Sequence, residues 1–301
     1  MSAIVIYHRA DFDGIFCREI ARKFLPDATL IGWDYGDPLP EVPLDAELFM
    51  LDISVDGLME HPRLVWIDHH KSAMEKYPAT VAGYRIDGVA ACRLAWQWFA
   101  RPPTAEGIAD GLPSKDEYQQ RLVSEPLSVR LAGEYDIWDK RDPNAELFQH
   151  GLRSRELTPD TWAHLLGDGA DAQDDMLVLE LLAAGEALQY AKTRENESII
   201  KSSGFTISFE GLRFLACNAA RYNSHLFTAG LTPEHDACFG FNYDGKQWRV
   251  SLYHVTGKEH HDLSLIAVKY GGGGHRGACG FRVPSLPFLA APPTDSTATA
   301  A

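Results

Sequence analysis

The stretch HRADFDG, His8 to Gly14, packs an imidazole and two carboxylates behind a short apolar and aromatic run, Ile4 to Tyr7. A buried strand that stops before a helical pattern places His8, Asp11 and Asp13 on the connecting loop. Loops at the carboxyl ends of parallel strands are where open α/β sheets hold their ligands. Two further apolar runs end in the same way: ELFMLDIS delivers Asp52, and RLVWIDHHK delivers Asp68, His69 and His70. Taken singly, each acid reads as a turn or cap residue and His8 as a surface histidine. Taken together they can converge at one sheet edge, where like-charged carboxylates repel unless cations compensate. Imidazole and carboxylate ligands without thiolate suit Mn, Mg, Fe or Zn. Two such ions about 3.5–4 Å apart, sharing a carboxylate, would clamp the attacking and leaving oxygens of a phosphoryl displacement.

These residues need elements to position them. After Gly14, IFCREIARKFL puts Ile15, Phe16, Ile20, Phe24 and Leu25 on one helical stripe, with Asp13 as a candidate N-cap. GVAACRLAWQWFA reads as a helix, Arg101 to Asp116 as a Pro/Gly-rich loop or insertion, and Glu117 to Ala132 as broadly helical with a bend at Pro126. Asn144 to Asp171 has weak periodicity and reads as mixed helix and loop. A long helix is expected from Ala172 to about Ser203, apolar early and charged late. Beyond it the texture changes to strands, with Asp244 and Gly245 as hairpin signals, a helix at DLSLIAVKY, and the run GGGGHRGACGFRV. The tail from Pro284, rich in Pro, Ala, Thr and Ser, is expected to be disordered.

With 301 residues, 45% of them hydrophobic, the chain can build two domain cores. A formal net charge of -14 argues against a basic groove for long duplex nucleic acid, since that binding neutralises many phosphates. Short anionic substrates held by metal ions remain compatible. The five cysteines, Cys17, Cys92, Cys217, Cys238 and Cys279, form no CxxC pair and read as buried reduced thiols. No stretch approaches the length of a membrane span, and the first strand begins where a signal peptide would lie. The expectation is a cytoplasmic protein with no membrane partner.

HRADFDG, LDIS, DHH and GEYDIWD, in that order and followed by GGGGH, resemble the motifs of the DHH phosphoesterase family with its DHH-associated C-terminal domain. The match runs from Ile4 to about Val283. It implies an α/β protein with a parallel-sheet DHH domain over 1–172, a linker helix over 173–203, a smaller α/β substrate-binding domain over 204–283 and a tail over 284–301. The resemblance further implies one metal held by His8, Asp11 and Asp52 and a second held by Asp13, Asp52, His69 and Asp136, with Asp52 as the bridge. Asp139 and Asp142 lie close to Asp136, and only the family pattern prefers the latter. Asp68 would orient the neighbouring histidine, as metal-bound imidazoles generally require, and His70 would face the substrate. Of the possible ions Mn²⁺ suits the donor mixture best, with Mg²⁺ as the alternative.

Four glycines in succession, then His275 and Arg276, fit a loop whose backbone approaches an anion, and no P-loop ending GK[ST] follows. In the resembled family this loop holds the far phosphate or sugar of a nucleotide, which assigns Gly272, Gly273, Gly274, His275 and Arg276 to substrate. Ser251 and Tyr253 join them, although Tyr253 stands where many relatives carry arginine. Trp33, Tyr35 and Trp138 read as buried core. The implied activity is metal-dependent hydrolysis of short single-stranded oligonucleotides or small nucleotides to mononucleotides. The alternatives are a bisphosphorylated-adenosine or dinucleotide phosphatase and a nucleotide sensor that does not cleave.

Overall fold

The computed structural model describes residues 3–100, 111–139, 141–167 and 172–289. Its contacts divide the chain into two units, Met1–Gln189 and Tyr190–Ala301. In the first unit β1 (Ala3–His8), α1 (Phe12–Phe24), β2 (Thr29–Trp33), β3 (Glu47–Leu51) and β4 (Leu64–Ile67) come first. They are followed by α2 (Lys71–Lys76), α3 (Ala91–Ala100), α4 (Lys115–Gln119), α5 (Leu127–Asp136), α6 (Asn144–Leu152) and α7 (Pro159–Leu165). Helix α8 (Ala172–Ser203) covers the range expected of it, and the division between the units falls inside it.

The four strands form a parallel sheet in the order β2-β1-β3-β4. Both faces are covered, which explains why the strands read as continuous apolar runs. Val5 and Tyr7 face Phe16, Ile20, Leu94, Leu131 and Phe148, while Ile4 and Ile6 pack with Leu48, Met50 and Trp66 on the other side. Each fully buried side chain of this kind contributes about 1.5–3 kcal/mol. The single helix expected over Glu117–Ala132 is instead two helices, α4 and α5, with Pro126 at the N-cap of α5. Proline lacks the N–H that a continuing helix would need, and Arg121 between the two helices takes a positive φ of 58°. Of the expected loop or insertion, residues 101–110 lie outside the described residues, while its last residues, Lys115 and Asp116, already belong to α4.

The second unit holds β5 (Gly204–Phe209), β6 (Leu212–Asn218), β7 (Ala237–Tyr243), β8 (Trp248–His254), α9 (Leu263–Lys269), β9 (Gly273–His275) and β10 (Ala278–Val283). The sheet runs β5-β6-β7-β8-β10-β9, antiparallel except for β6 with β7. One face packs Phe214, Phe239, Val250, Leu252 and Phe281 against Leu263 and Ala267 of α9. The tail expected to be disordered from Pro284 is ordered over its first residues: Leu286 and Phe288 are buried in this same core, because both are apolar and reach it directly after β10. Residues 290–301 lie outside the described residues. All five cysteines are buried and free. Among the described residues no helix is long and apolar enough to cross a membrane.

Candidate metal centre

Strand register builds the site. Tyr7 of β1 pairs with Leu51 of β3, and Leu51 with Ile67 of β4, so His8, Asp52 and Asp68 leave the sheet side by side. On the other flank His8 pairs with Trp33, which brings Asp34 to the same edge. The strand order reverses between β1 and β3, the crevice where open α/β sheets bind ligands. Asp52 takes φ 61°, a left-handed backbone that Asp tolerates better than most residues. Gly14 keeps φ negative. What demands glycine there is the close approach of α1 to β1, since a Cβ would lie 1.8 Å from the His8 carbonyl oxygen.

Helix α1 is capped by Asp11, which accepts from the Gly14 N–H at 3.0 Å, and not by Asp13 as the sequence pattern suggests. Asp13 is buried and accepts from the first N–H groups of α3, Ala91 and Cys92, both at 2.8 Å. The positive end of that helix favours a carboxylate there.

His8 Nδ1 lies 3.0 Å from Asp11 Oδ2 and 3.4 Å from Asp52 Oδ2. His69 Nε2 lies 3.2 Å from Asp136 Oδ2, 3.4 Å from Asp52 Oδ1 and 3.5 Å from Asp13 Oδ2. Asp139 and Asp142 are drawn elsewhere, Asp139 to Arg141 at 2.8 Å and Asp142 to Arg130 at 2.9 Å. Asp136 alone of the three acids reaches the cluster. Asp68 is fully buried and accepts from Trp66 Nε1 at 3.0 Å and from the His69 and His70 N–H groups at 2.7 and 3.0 Å. Its ring contact is with His70, whose Nδ1 is 2.7 Å away.

The charges are mutually dependent. Contacts with Asp11 and Asp52 raise His8 to about 10. Burial would lower His69, but Asp52 and Asp13 outweigh it and raise it to about 10. Burial, reinforced by Asp52, raises Asp13 to about 7, and burial with Asp13 nearby does the same for Asp136. Burial works against ionised Asp11 and Asp68, yet His8 holds the first and His70 the second below the usual carboxylate range.

Three groups bring ligand atoms within 4.8 Å of one another: His8, Asp11 and Asp52; Asp13, His69 and Asp136; and Asp52, His69 and His70. Both Asp52 carboxylate oxygens and His8 Nδ1 are buried without a hydrogen-bond partner. Buried polar atoms left so are costly, and a cation would satisfy all three. Oxygen and imidazole donors fit a divalent ion of the Mg, Mn, Fe or Zn group.

Asp34 escaped the sequence reading although ATLIGWD carries the same signal, an apolar run closed by an acid. Its Oδ1 is 3.6 Å from His8 Nε2. Tyr35 and Trp138, read as core, are 65% and 63% exposed, because they stand on the loops following β2 and α5. The Tyr35 ring lies 6.4 Å from that of His8. Trp33 is half-buried against the Ile4–Met50 side of the core.

The glycine run is largely structural. Gly271 and Gly274 have φ of +76° and +129°, and a Cβ on Gly272 would meet the Gly280 carbonyl oxygen at 2.1 Å. Gly273 to His275 form a short edge strand on β10 where a loop was expected. Gly273 faces open space and His275 is exposed, while Arg276 donates to the His260 carbonyl at 2.7 Å. Tyr253 packs its ring near Tyr222 and Phe227, and Ser251 precedes it on the same strand face. The seven residues expected to meet substrate all belong to the second unit, and the eight of the metal cluster and its histidine partner to the first.

No family model and no curated protein matches the chain. Solved structures do. The DHH domain of a member of the S1p family of ribosomal proteins aligns over 94% of this chain and 83% of its own, with 14% identity and a TM-score of 0.54. The pGpG-specific phosphodiesterase PggH from Vibrio cholerae aligns over 94% and 93%, with 12% identity and a TM-score of 0.47. RecJ in complex with Mg²⁺ from Thermus thermophilus aligns over 93% and 47%, with 15% identity and a TM-score of 0.48. The parallel β2-β1-β3-β4 sheet, whose strand ends gather the ordered acidic motifs, thus has the fold of the DHH domain in the first of these structures.

Proposed function

We propose that the protein is a metal-dependent phosphoesterase that hydrolyses short oligonucleotides or small nucleotides to mononucleotides. One observation carries the reading: buried Asp52 offers two unpartnered oxygens, one to the His8–Asp11 side and one to the His69 side. A carboxylate so placed suits a bridge between two cations. His8, Asp11 and Asp52 would hold one ion, and Asp13, Asp52, His69 and Asp136 the other, with Mn²⁺ the preferred identity. Ions held there would supply positive charge that acidifies a water and offsets the charge developing on the phosphoryl group.

The chain's own groups do the rest. Asp68 accepts from His70 Nδ1, so the ring is oriented and its proton is retained; His70 is held above its ordinary value first by this contact. Its side chain is 42% exposed, open to a phosphate ester, and a protonated imidazole can donate to a phosphoryl oxygen or a leaving group. The α3 N-terminus anchors Asp13 and so presents its oxygens to His69. GGGGHR in the second unit supports a nucleotide as substrate through the motif order.

The test is product analysis with the full-length protein and Mn²⁺, offering 5'-labelled RNA and DNA of two to about twenty-five nucleotides beside bisphosphorylated adenosine and pyrophosphate. Mononucleotides released fastest from the shortest oligomers, with turnover lost in Asp52→Ala and His70→Ala, is the expected result. Metal-dependent cleavage of bisphosphorylated adenosine alone would transfer the reading to a phosphatase. No hydrolysis of any of them would end it.

A further inference from the structure

The geometry points to a phosphate-binding site on the second unit, built by Arg249 and Arg282 and separate from the His275–Arg276 corner. The two arginines are direct cross-strand partners in the β8–β10 pairing. Val250, Leu252 and Phe281 point to the α9 side, so by alternation Arg249 and Arg282 share the opposite face, and both are exposed. Like charges placed directly opposite weaken a sheet, so this pair carries a cost that the fold does not require. Neither guanidinium has a carboxylate partner among the described residues. Three other cations of the unit do, Arg213 with Glu234, Lys258 with Asp236 and Lys269 with Glu210, while Arg276 donates to a backbone carbonyl. Asp244 stands within their field, with Oδ1 accepting from the Lys246 and Gln247 N–H groups of the hairpin turn, and among the described residues it forms no ion pair with either guanidinium.

The pair lines a cavity of about 430 Å³ that contains no acid. Gly271, Gly272 and Gly280 leave its wall without side chains beside the arginines, and Ser251 adds a hydroxyl on the arginine face. Two adjacent guanidinium forks over a wall of glycine match a phosphoryl group, which accepts bidentate bonds from each. Arg282 is four residues along β10 from Ala278, the partner of His275, so the site lies about 13 Å along the strand from that corner at about 3.3 Å per residue. The ligand class is a phosphate monoester or diester, carried by a nucleotide or free in solution.

The test uses the full chain in EDTA, so that no metal-dependent turnover intervenes. Binding of a 5'-phosphorylated trinucleotide with a 3' fluorophore is followed by anisotropy, and melting is followed with and without inorganic phosphate. Arg249→Gln and Arg282→Gln each weaken trinucleotide binding about tenfold or more, the scale of a lost charge-assisted contact. Each also lowers the log–log salt slope by about one. Arg249→Lys keeps the salt slope and still loses affinity, because it retains charge without the fork. Without anion the Gln variants melt no lower than the parent, since the opposed charges are relieved, and this shows that they fold. Phosphate that raises the parent's Tm and displaces the trinucleotide marks a site for the phosphoryl group itself. Trinucleotide binding that phosphate does not displace marks a site for phosphate within a nucleotide. Variants that bind the trinucleotide and respond to phosphate as the parent does would overturn the site. Because the measurement excludes metal, its failure would leave the hydrolytic reading standing, and the reverse also holds.

Discussion

Asp34 Oδ1 lies 3.6 Å from His8 Nε2 while His8 Nδ1 faces Asp11 and Asp52, so the two ring nitrogens have different tasks. A carboxylate behind an imidazole selects which nitrogen carries the proton and frees the other for a cation. Asp34→Asn is therefore expected to weaken Mn²⁺ binding by about 10–100-fold, measured by titration calorimetry. An unchanged affinity would remove Asp34 from the centre. The same cluster sets a pH dependence. His8 and His69, raised to about 10 by their carboxylate neighbours, are protonated at neutral pH, and Asp13 and Asp136 at about 7 are partly so. A divalent ion must displace these protons, so its affinity is expected to rise from pH 6 to pH 8. The observed binding enthalpy should then vary with the ionisation enthalpy of the buffer; a flat affinity with no buffer dependence would contradict this. Most of the cluster was legible from residue types. The choice of Asp136 over Asp139 and Asp142 was not, because it depends on Arg141 and Arg130 drawing the other two away.

At the scale of elements, glycines that look alike in sequence have different tasks. Gly14→Ala would drive a methyl into the His8 carbonyl, and about 1–3 kcal/mol of destabilisation is expected from such overpacking, with α1 displaced from the ligands it carries. Gly273→Ala meets nothing within 4 Å and should leave stability within about 0.5 kcal/mol. Urea denaturation of the two variants separates them, and equal costs would refute the contrast. If Gly273 lies under the nucleotide, the same variant raises KM and spares stability. The motif GGGGH was legible, but its division into positive-φ, close-approach and open positions depends on how β9 lies against β10. Helix ends show the same limit. Pro126 reads in the sequence as a bend within one helix, whereas the chain breaks into α4 and α5 with Pro126 at the N-cap of the second.

For the molecule as a whole, two units with separate cores put the candidate ligands in the first and the glycine run with the arginine pair in the second. The second core is closed by residues past the last strand. Phe288 is 8% exposed and lies 4.6 Å from the Phe239 ring, centroid to centroid. Phe288→Ala is expected to cost about 3–5 kcal/mol, visible as a lower denaturation midpoint, whereas a disordered tail would show no change. Composition missed this because Leu286 and Phe288 are embedded in a stretch whose Pro, Ser, Ala and Thr content reads as unstructured.

The sequence by itself determined the apolar runs, their acidic exits, the long helix and the order of motifs, since each is a pattern among near neighbours in the chain. Tertiary structure decided what those patterns meet. The pairing of Tyr7 with Leu51 and of Leu51 with Ile67 put three exits in a row, and that of His8 with Trp33 added the fourth. The pairing of Arg249 with Arg282 set two charges face to face. Register is chosen by which side chains fill the layers on both sides of a sheet, so no local segment carries it.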